Sequence, residues 1–196
     1  MSRSAVPRTI PPIAPAGTLA ALEQPVLGLG DARLRPWEPA DAPAVREAYT
    51  DPAIQRWHVR TLTAAEAEAW VGQWPGRWAR ETGAGWAIAR EPDGVLLGQI
   101  ALRRIDLEEG DAEISYWVVP AARGRKLAPR ALTALTGWVF GTLGLHRIEV
   151  RHSTANEPSC RVAESAAFPY EGTLRSQALH DDGWHDMHVH ARINAG

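Results

Sequence analysis

The sequence predicts a single mixed α/β domain, and three observations carry that prediction. Three strand-like segments between Gly85 and Val119, joined by glycine-containing turns, read as an antiparallel meander. A helical stripe at Leu132, Leu135, Val139 and Leu143 follows them directly. The chain then returns to strand, helix and two strands, all within 196 residues, a length that suits one core and not two.

Taken in order, residues 1–24 read as a disordered tail, with domain structure over 25–196. Pro7, Pro11, Pro12, Pro15 and Gly17 break every period there, and only a short helical turn is expected near 19–22. Residues 32–35 alternate as a first strand, stopped by Pro36. Asp41 is placed to cap a helix over 43–49, and Asp51-Pro52 opens a further helical turn. Thr63 with Glu66 forms a capping box. The helix it starts carries Trp70, Trp74 and Trp78 on one face, and Pro75-Gly76 is expected to interrupt it. Strands follow at 85–89, 95–103 and 112–119. A helix is predicted over 127–143, with Pro129 tolerated in its first turn and Gly144 ending it. Residues 147–152 read as a strand, Asn156 caps a helix over 158–166, and 170–177 with 184–193 form a last strand pair around Asp181-Asp182-Gly183.

Composition narrows the function classes. The formal net charge is −2, so no overall basic field favours nucleic acid as a partner. No apolar run approaches the ~18 residues that cross a bilayer, and no secretory stretch follows Arg3 and Arg8, so no membrane partner is expected. Cys160 is the single cysteine. It excludes an internal disulfide and a cysteine-built zinc site, and it fits a cytoplasmic protein. Nine tryptophans belong mostly in a core or along a groove.

The informative unit is the strand, loop and helix at 112–143. The first amides of a helix lack internal partners, and the helix dipole adds positive potential there. Arg123, Arg125 and Lys126 surround that point beside Gly124, so a pyrophosphate group belongs there.

These residues resemble motif A of the GCN5-related N-acetyltransferase (GNAT) superfamily, whose loop reads Q/R-x-x-G-x-G/A; Arg123 and Ala128 match its ends, and Lys126 stands where the family has glycine. Asn156-Glu157-Pro158-Ser159-Cys160-Arg161 with Phe168 and Glu171-Gly172 is similar to the N-x-x-S-x-R…GF…EG signature of the RimJ/RimL-like ribosomal-protein acetyltransferase branch. Ser165-Ala166-Ala167-Phe168 replaces its usual K-x-G-F. Leu34-Arg35-Pro36-Trp37 and Gly183-Trp184-His185-Asp186-Met187 fit the same branch. The likeness spans about 31–194, in the family's order. It implies a central, mostly antiparallel twisted sheet flanked by helices and acetyl-CoA as co-substrate; no metal is expected beside it.

By that resemblance, the backbone of Trp117, Val118 and Val119 takes the pantetheine arm, and the amides of Arg125, Lys126, Leu127 and Ala128 take the pyrophosphate. Asn156 and Ser159 meet the reactive end, Arg161 reaches the phosphates, and Trp57 and His58 face the acceptor. The attacking amine must lose a proton, the thioester oxygen needs hydrogen bonds, and the leaving thiolate accepts a proton. Glu113, on one strand face with Ser115 and Trp117, is the expected base, the amide near Val119 the carbonyl's donor, and Ser159 the acid.

Structural readings stand beside these. Glu113 fits an arginine pair on a solvated face, and Ser159 fits a helix cap. Tyr170 is a possible acid, His152 a possible base, and His180, His185, His188 and His190 with Asp186 a conceivable metal cluster. The expected activity is transfer of acetyl from acetyl-CoA to a primary amine, on a protein N-terminus or a small molecule, by a monomer or homodimer. Alternatives keep the fold with succinyl-CoA or a carrier-protein thioester as donor, or make the chain a CoA-binding sensor without catalysis.

Overall fold

A computed structural model describes residues 10–195. Eight strands form one sheet in the order β1-β2-β3-β4-β5-β6-β8-β7. They are β1 (Leu27–Gly28), β2 (Ala32–Pro36), β3 (Ala84–Arg90), β4 (Leu96–Asp106), β5 (Asp111–Val118), β6 (Arg147–Ser153), β7 (Tyr170–His180) and β8 (Gly183–Ile193). Among the described residues only the β5–β6 pair is parallel. Helices α1 (Ala42–Ala48), α2 (Pro52–His58) and α3 (Ala64–Ala79) cover one face; α4 (Leu127–Trp138) and α5 (Glu157–Ser165) cover the other. The mixed α/β prediction and the predicted strands hold; β1, two residues long, had no periodic signal to read.

Each face has its own core, as strand alternation requires. Leu34, Trp86, Ile88, Ile100 and Ile114 point toward α4, while Ala87, Ala101 and Trp117 point toward α1–α3. Trp70, Trp74 and Trp78 are all buried, yet they do not share one core: Trp70 and Trp74 join the α1–α3 side and Trp78 the other. Their helix also runs unbroken through Pro75. Proline removes one intrahelical bond, and the buried tryptophans on either side hold the helix together across it. The capping box forms as predicted: the Glu66 amide donates to Thr63 Oγ1 at 3.3 Å and the Thr63 amide to Glu66 Oε2 at 2.8 Å.

Two further expectations are corrected. The helix predicted over 127–143 is α-helical only to Trp138; Val139–Leu143 widens into a π turn before Gly144, φ 64°, ends it. The tail expected to be disordered over 1–24 is ordered from Ile10 onward, residues 1–9 lying outside the described residues. The Ile13 and Ala14 amides donate to the Glu108 and Leu107 carbonyls at 3.1 and 3.0 Å. Ala14 and Leu19 are buried, and Trp78 Nε1 donates to the Leu22 carbonyl at 3.0 Å. Glu81 accepts the amides of Gly17, Leu19 and Ala20 at 2.7, 2.7 and 3.1 Å. A few buried apolar contacts and one carboxylate order a segment whose composition shows no period.

Candidate active site

The parallel pair β5–β6 stays in register only from Asp111↔Arg147 to Ile114↔Val150. Beyond that point the strands diverge, and the gap opens a cleft of about 1190 Å³ between α2, the first turn of α4 and the first turn of α5. Diverging strands leave part of the β5 backbone without a ladder partner, and such groups bind what enters the gap. The amide of Val119 donates to the Leu97 carbonyl at 2.9 Å, so it is not the free donor expected there. Strand alternation turns the neighbouring Val118 amide the other way, toward the divergence.

At one end of the cleft, α4 begins without a side-chain cap. Lys126, its N-cap residue, holds the left-handed backbone (φ 55°, ψ 27°) that glycine would adopt more easily, which is how the loop keeps its turn without the family's glycine. Among the described residues Lys126 has no ion-pair partner. Arg123 lies against Asp51 at 2.6 Å and donates from Nε to the Val118 carbonyl at 3.2 Å. Asp51 also caps α2 through the Ile54 amide at 3.0 Å. Burial works to raise the Asp51 carboxyl, but Arg123 and the helix amides outweigh it and hold it below its usual range. Arg125 is drawn away to Asp31, which it shares with Arg130; hydrogen bonds from Arg130 and then Arg125 lower the Asp31 carboxyl.

At the other end, Asn156 caps α5 by accepting the Ser159 amide at 3.3 Å, as expected. The Ser159 hydroxyl lies 2.8 Å from the Tyr116 hydroxyl, which also donates to the Ser159 carbonyl at 3.2 Å. Burial pushes the Tyr116 phenol far above its ordinary value, so it remains a neutral hydroxyl. Tyr116 was missed in the sequence because it lies 43 residues from Ser159, on the strand face opposite Glu113.

Trp57, His58, Trp117, Val118, Arg123, Gly124, Lys126, Leu127, Ala128, Asn156, Ser159 and Arg161 all line the cleft; Glu113, Val119 and Arg125 do not. Glu113 is held by Arg103 at 3.3 Å, and Arg103 is itself a cleft residue. His58, at the end of α2, is crowded enough that its imidazole falls to about 4; burial is the main cause, and Arg60 adds to it against a hydrogen bond with the Tyr116 backbone. The Trp57 ring lies edge-on to His180 and His185, which stack 4.3 Å apart. Buried Ser153, also in the cleft, begins a chain with no sequence signal: its Oγ is 2.7 Å from His185 Nδ1, and His185 Nε2 is 2.7 Å from Asp182. Arg161 pairs with Glu157 at 3.5 Å on the exposed side of α5.

The last strands divide the predicted histidine cluster. His180 and His185 stay beside α2, whereas His188 and His190 meet His152 and Cys160 behind α5.

The fold is shared with solved acetyltransferases. RimL, a ribosomal L7/L12 α-N-protein acetyltransferase solved in complex with coenzyme A, superposes with a TM-score of 0.78 at 19% identity over 86% of this chain and 98% of its own. The chain belongs to the acetyltransferase (GNAT) domain family, which matches residues 31–169, and is by that membership an acyltransferase enzyme. It is 24% identical over 171 residues to YoaA, an uncharacterized N-acetyltransferase of Bacillus subtilis (strain 168), covering 86% of this chain and 97% of YoaA. It is 31% identical over 98 residues to the ribosomal-protein-serine acetyltransferase of Escherichia coli (strain K12), across 50% of this chain and 55% of that protein. No helix among the described residues is long and apolar enough to cross a membrane.

Proposed function

We propose that the chain moves an acetyl group from acetyl-CoA to the primary amine of a protein N-terminus, by direct attack in a ternary complex. One catalytic domain, the expected 25–196 extended by the ordered segment from Ile10, would carry the reaction in the cytoplasm. The observation behind this reading is the single cleft that joins the uncapped start of α4, the β5–β6 divergence and the Ser159–Tyr116 hydroxyl pair. Amides of Gly124, Lys126, Leu127 and Ala128 and the Lys126 ammonium suit a pyrophosphate. Pro129 supplies no amide, so that cradle ends at Ala128. Pantetheine follows the free edge of β5, where the Val118 amide faces the thioester carbonyl as charge grows on its oxygen. The amine enters past Trp57 and His58 from the α2 side. Ser159, backed by Tyr116, hands a proton to the departing CoA sulfur and regains one from the newly acylated nitrogen, which sheds its extra proton as the C–S bond breaks. The choice of a protein N-terminus rests on the ribosomal-protein relatives, and a small-molecule amine is the competing acceptor.

Glu113 accepts the amine's proton through water past Arg103. The Ser153–His185–Asp182 chain is a second reading of that role, favoured by its start inside the cleft and its end at an exposed carboxylate. Thiol release with acetyl-CoA, measured against N-terminal peptides and small amines, tests the activity, and succinyl-CoA in place of acetyl-CoA tests the donor. Release with neither donor, despite CoA binding, would make the chain a sensor. Glu113→Gln should cut kcat by 10²-fold or so while CoA binding holds. If Glu113→Gln turns over normally and His185→Asn does not, the proton leaves by the second route.

A further inference from the structure

Strand pairing sets Val150 opposite His190 and His152 opposite His188, so three histidines share one sheet face. That face continues the one under α4 and α5 that carries Ile148 and Val150. The first turn of α5 lowers Cys160 onto it, with Sγ 3.6 Å from His190 Nε2. One ring nitrogen from each histidine and the cysteine sulfur all lie within 4.8 Å of one another.

The hydrogen bonds around this group are arranged as metal sites arrange theirs. His152 Nδ1 bonds the Ser153 carbonyl at 2.9 Å and His190 Nδ1 bonds the Phe168 carbonyl at 3.0 Å. Carbonyl partners fix both rings in the tautomer that keeps a lone pair on Nε2. His152 is only 5% exposed and His190 is fully buried, yet His152 Nε2 has no hydrogen-bond partner among the described residues, and nor does His188 Nδ1. Two unpartnered ring nitrogens buried side by side are costly unless something binds them. No carboxylate belongs to the group; Glu164 touches it only through Cys160, at 3.7 Å from Sγ.

We propose that His152 Nε2, His188 Nδ1, His190 Nε2 and Cys160 Sγ bind one divalent transition-metal ion of the Zn²⁺ class, in a closed tetrahedral site that fastens α5 to β6 and β8. Tetrahedral Zn²⁺ with bonds of about 2.0–2.3 Å sets its donors roughly 3.3–3.6 Å apart, a small contraction from the present spacing. The soft thiolate and three imidazoles select Zn²⁺ over Mg²⁺ or Ca²⁺. On binding, Cys160 gives up its thiol proton to solvent and keeps the electron pair for the ion; no redox change occurs. Cys160 is adjacent in sequence to Ser159, so the ion would also set the turn that presents the Ser159 hydroxyl to the cleft. The site stands whether or not the chain is an acetyltransferase.

The test uses the full chain purified without a polyhistidine tag, stripped with a chelator and titrated with Zn²⁺ and, separately, Co²⁺. One equivalent should bind, and a 100-fold excess of Zn²⁺ over its Kd should raise Tm by about 5 °C or more. Co²⁺ should show intense tetrahedral ligand-field bands in the visible and a sulfur-to-metal charge-transfer band in the near ultraviolet. Cys160→Ser should remove the charge-transfer band, and His188→Asn should weaken binding at least tenfold. Circular dichroism and Tm of the metal-free variants show that each has folded. His185→Asn, in the other histidine pair, should bind as the parent does. The proposal is overturned if no equivalent binds, if the Co²⁺ spectrum survives Cys160→Ser unchanged, or if binding is lost in His185→Asn and kept in His188→Asn.

Discussion

Ala167 shows how a single residue departs from its family and keeps the geometry. Helix α5 ends in a Schellman turn: the Phe168 amide donates to the Ala163 carbonyl at 2.9 Å, and the Ala167 amide to the Glu164 carbonyl at 3.0 Å. This motif needs a left-handed residue, and alanine supplies it at φ 59° where the signature this segment resembles has glycine. The closure is held by the fully buried Phe168 ring, packed in one core with Ala163. A left-handed alanine costs about 1–2 kcal/mol, while glycine loses part of that gain through its looser unfolded state. Ala167 is exposed, so its methyl gives up little packing. Ala167→Gly should therefore stabilise the protein by about 0.5–1 kcal/mol, read as a higher urea midpoint. A lower midpoint would mean that the turn is set by something other than this backbone angle.

At the scale of elements, the segment from Ile10 to Gln24 acts as a strap across the sheet end. Leu19 is fully buried against the main core, and Glu81 gathers three of the strap's amides. Leu19→Ala should cost about 3 kcal/mol, close to a core position and far from the value for a loose tail. Removing residues 1–24 should lower Tm for the same reason; an unchanged Tm would restore the disordered reading. The strap was illegible because Pro/Ala composition carries no period, and its order depends on partners far along the chain, at Glu81, Leu107 and Glu108. The strands and two of the caps were legible because their signals are local: alternation, Thr63 with Glu66, and Asn156 before α5. Asp41, expected to cap α1, makes no cap bond there and instead accepts from both terminal Arg35 guanidinium nitrogens at 2.7 Å. The candidate site divides along the same line. Its loop, Asn156 and Ser159 could be read from motif order. Tyr116 beside Ser159, Arg125 turned to Asp31, and His152 with Cys160, His188 and His190 follow from strand register and helix placement, which no local pattern encodes.

Across the whole molecule, the sheet separates two cores, and the β5–β6 divergence is where a ligand can reach both faces. Ser159 and Tyr116 lie on the α4–α5 side, Trp117 and the end of α2 on the other. Thioester and amine can then approach one point from opposite faces, as the proposed direct transfer requires. His58 closes α2 over that point and ties the cleft to acid stability. Its folded-state value of about 4 lies below the ordinary 6.5. Between those values the unfolded chain holds the proton and the folded chain does not. This contribution to stability is whole above about pH 6.5 and is lost as pH falls toward 4, amounting to on the order of 2 kcal/mol by pH 5. Burial lowers His152 in the same direction, so some acid sensitivity remains without His58. In chelator-treated protein, the urea midpoint of His58→Gln should fall less between pH 7.5 and 5.0 than that of the parent. Equal losses would show that His58 meets water freely in the folded state, and the closed arrangement of α2 over the cleft would have to be abandoned.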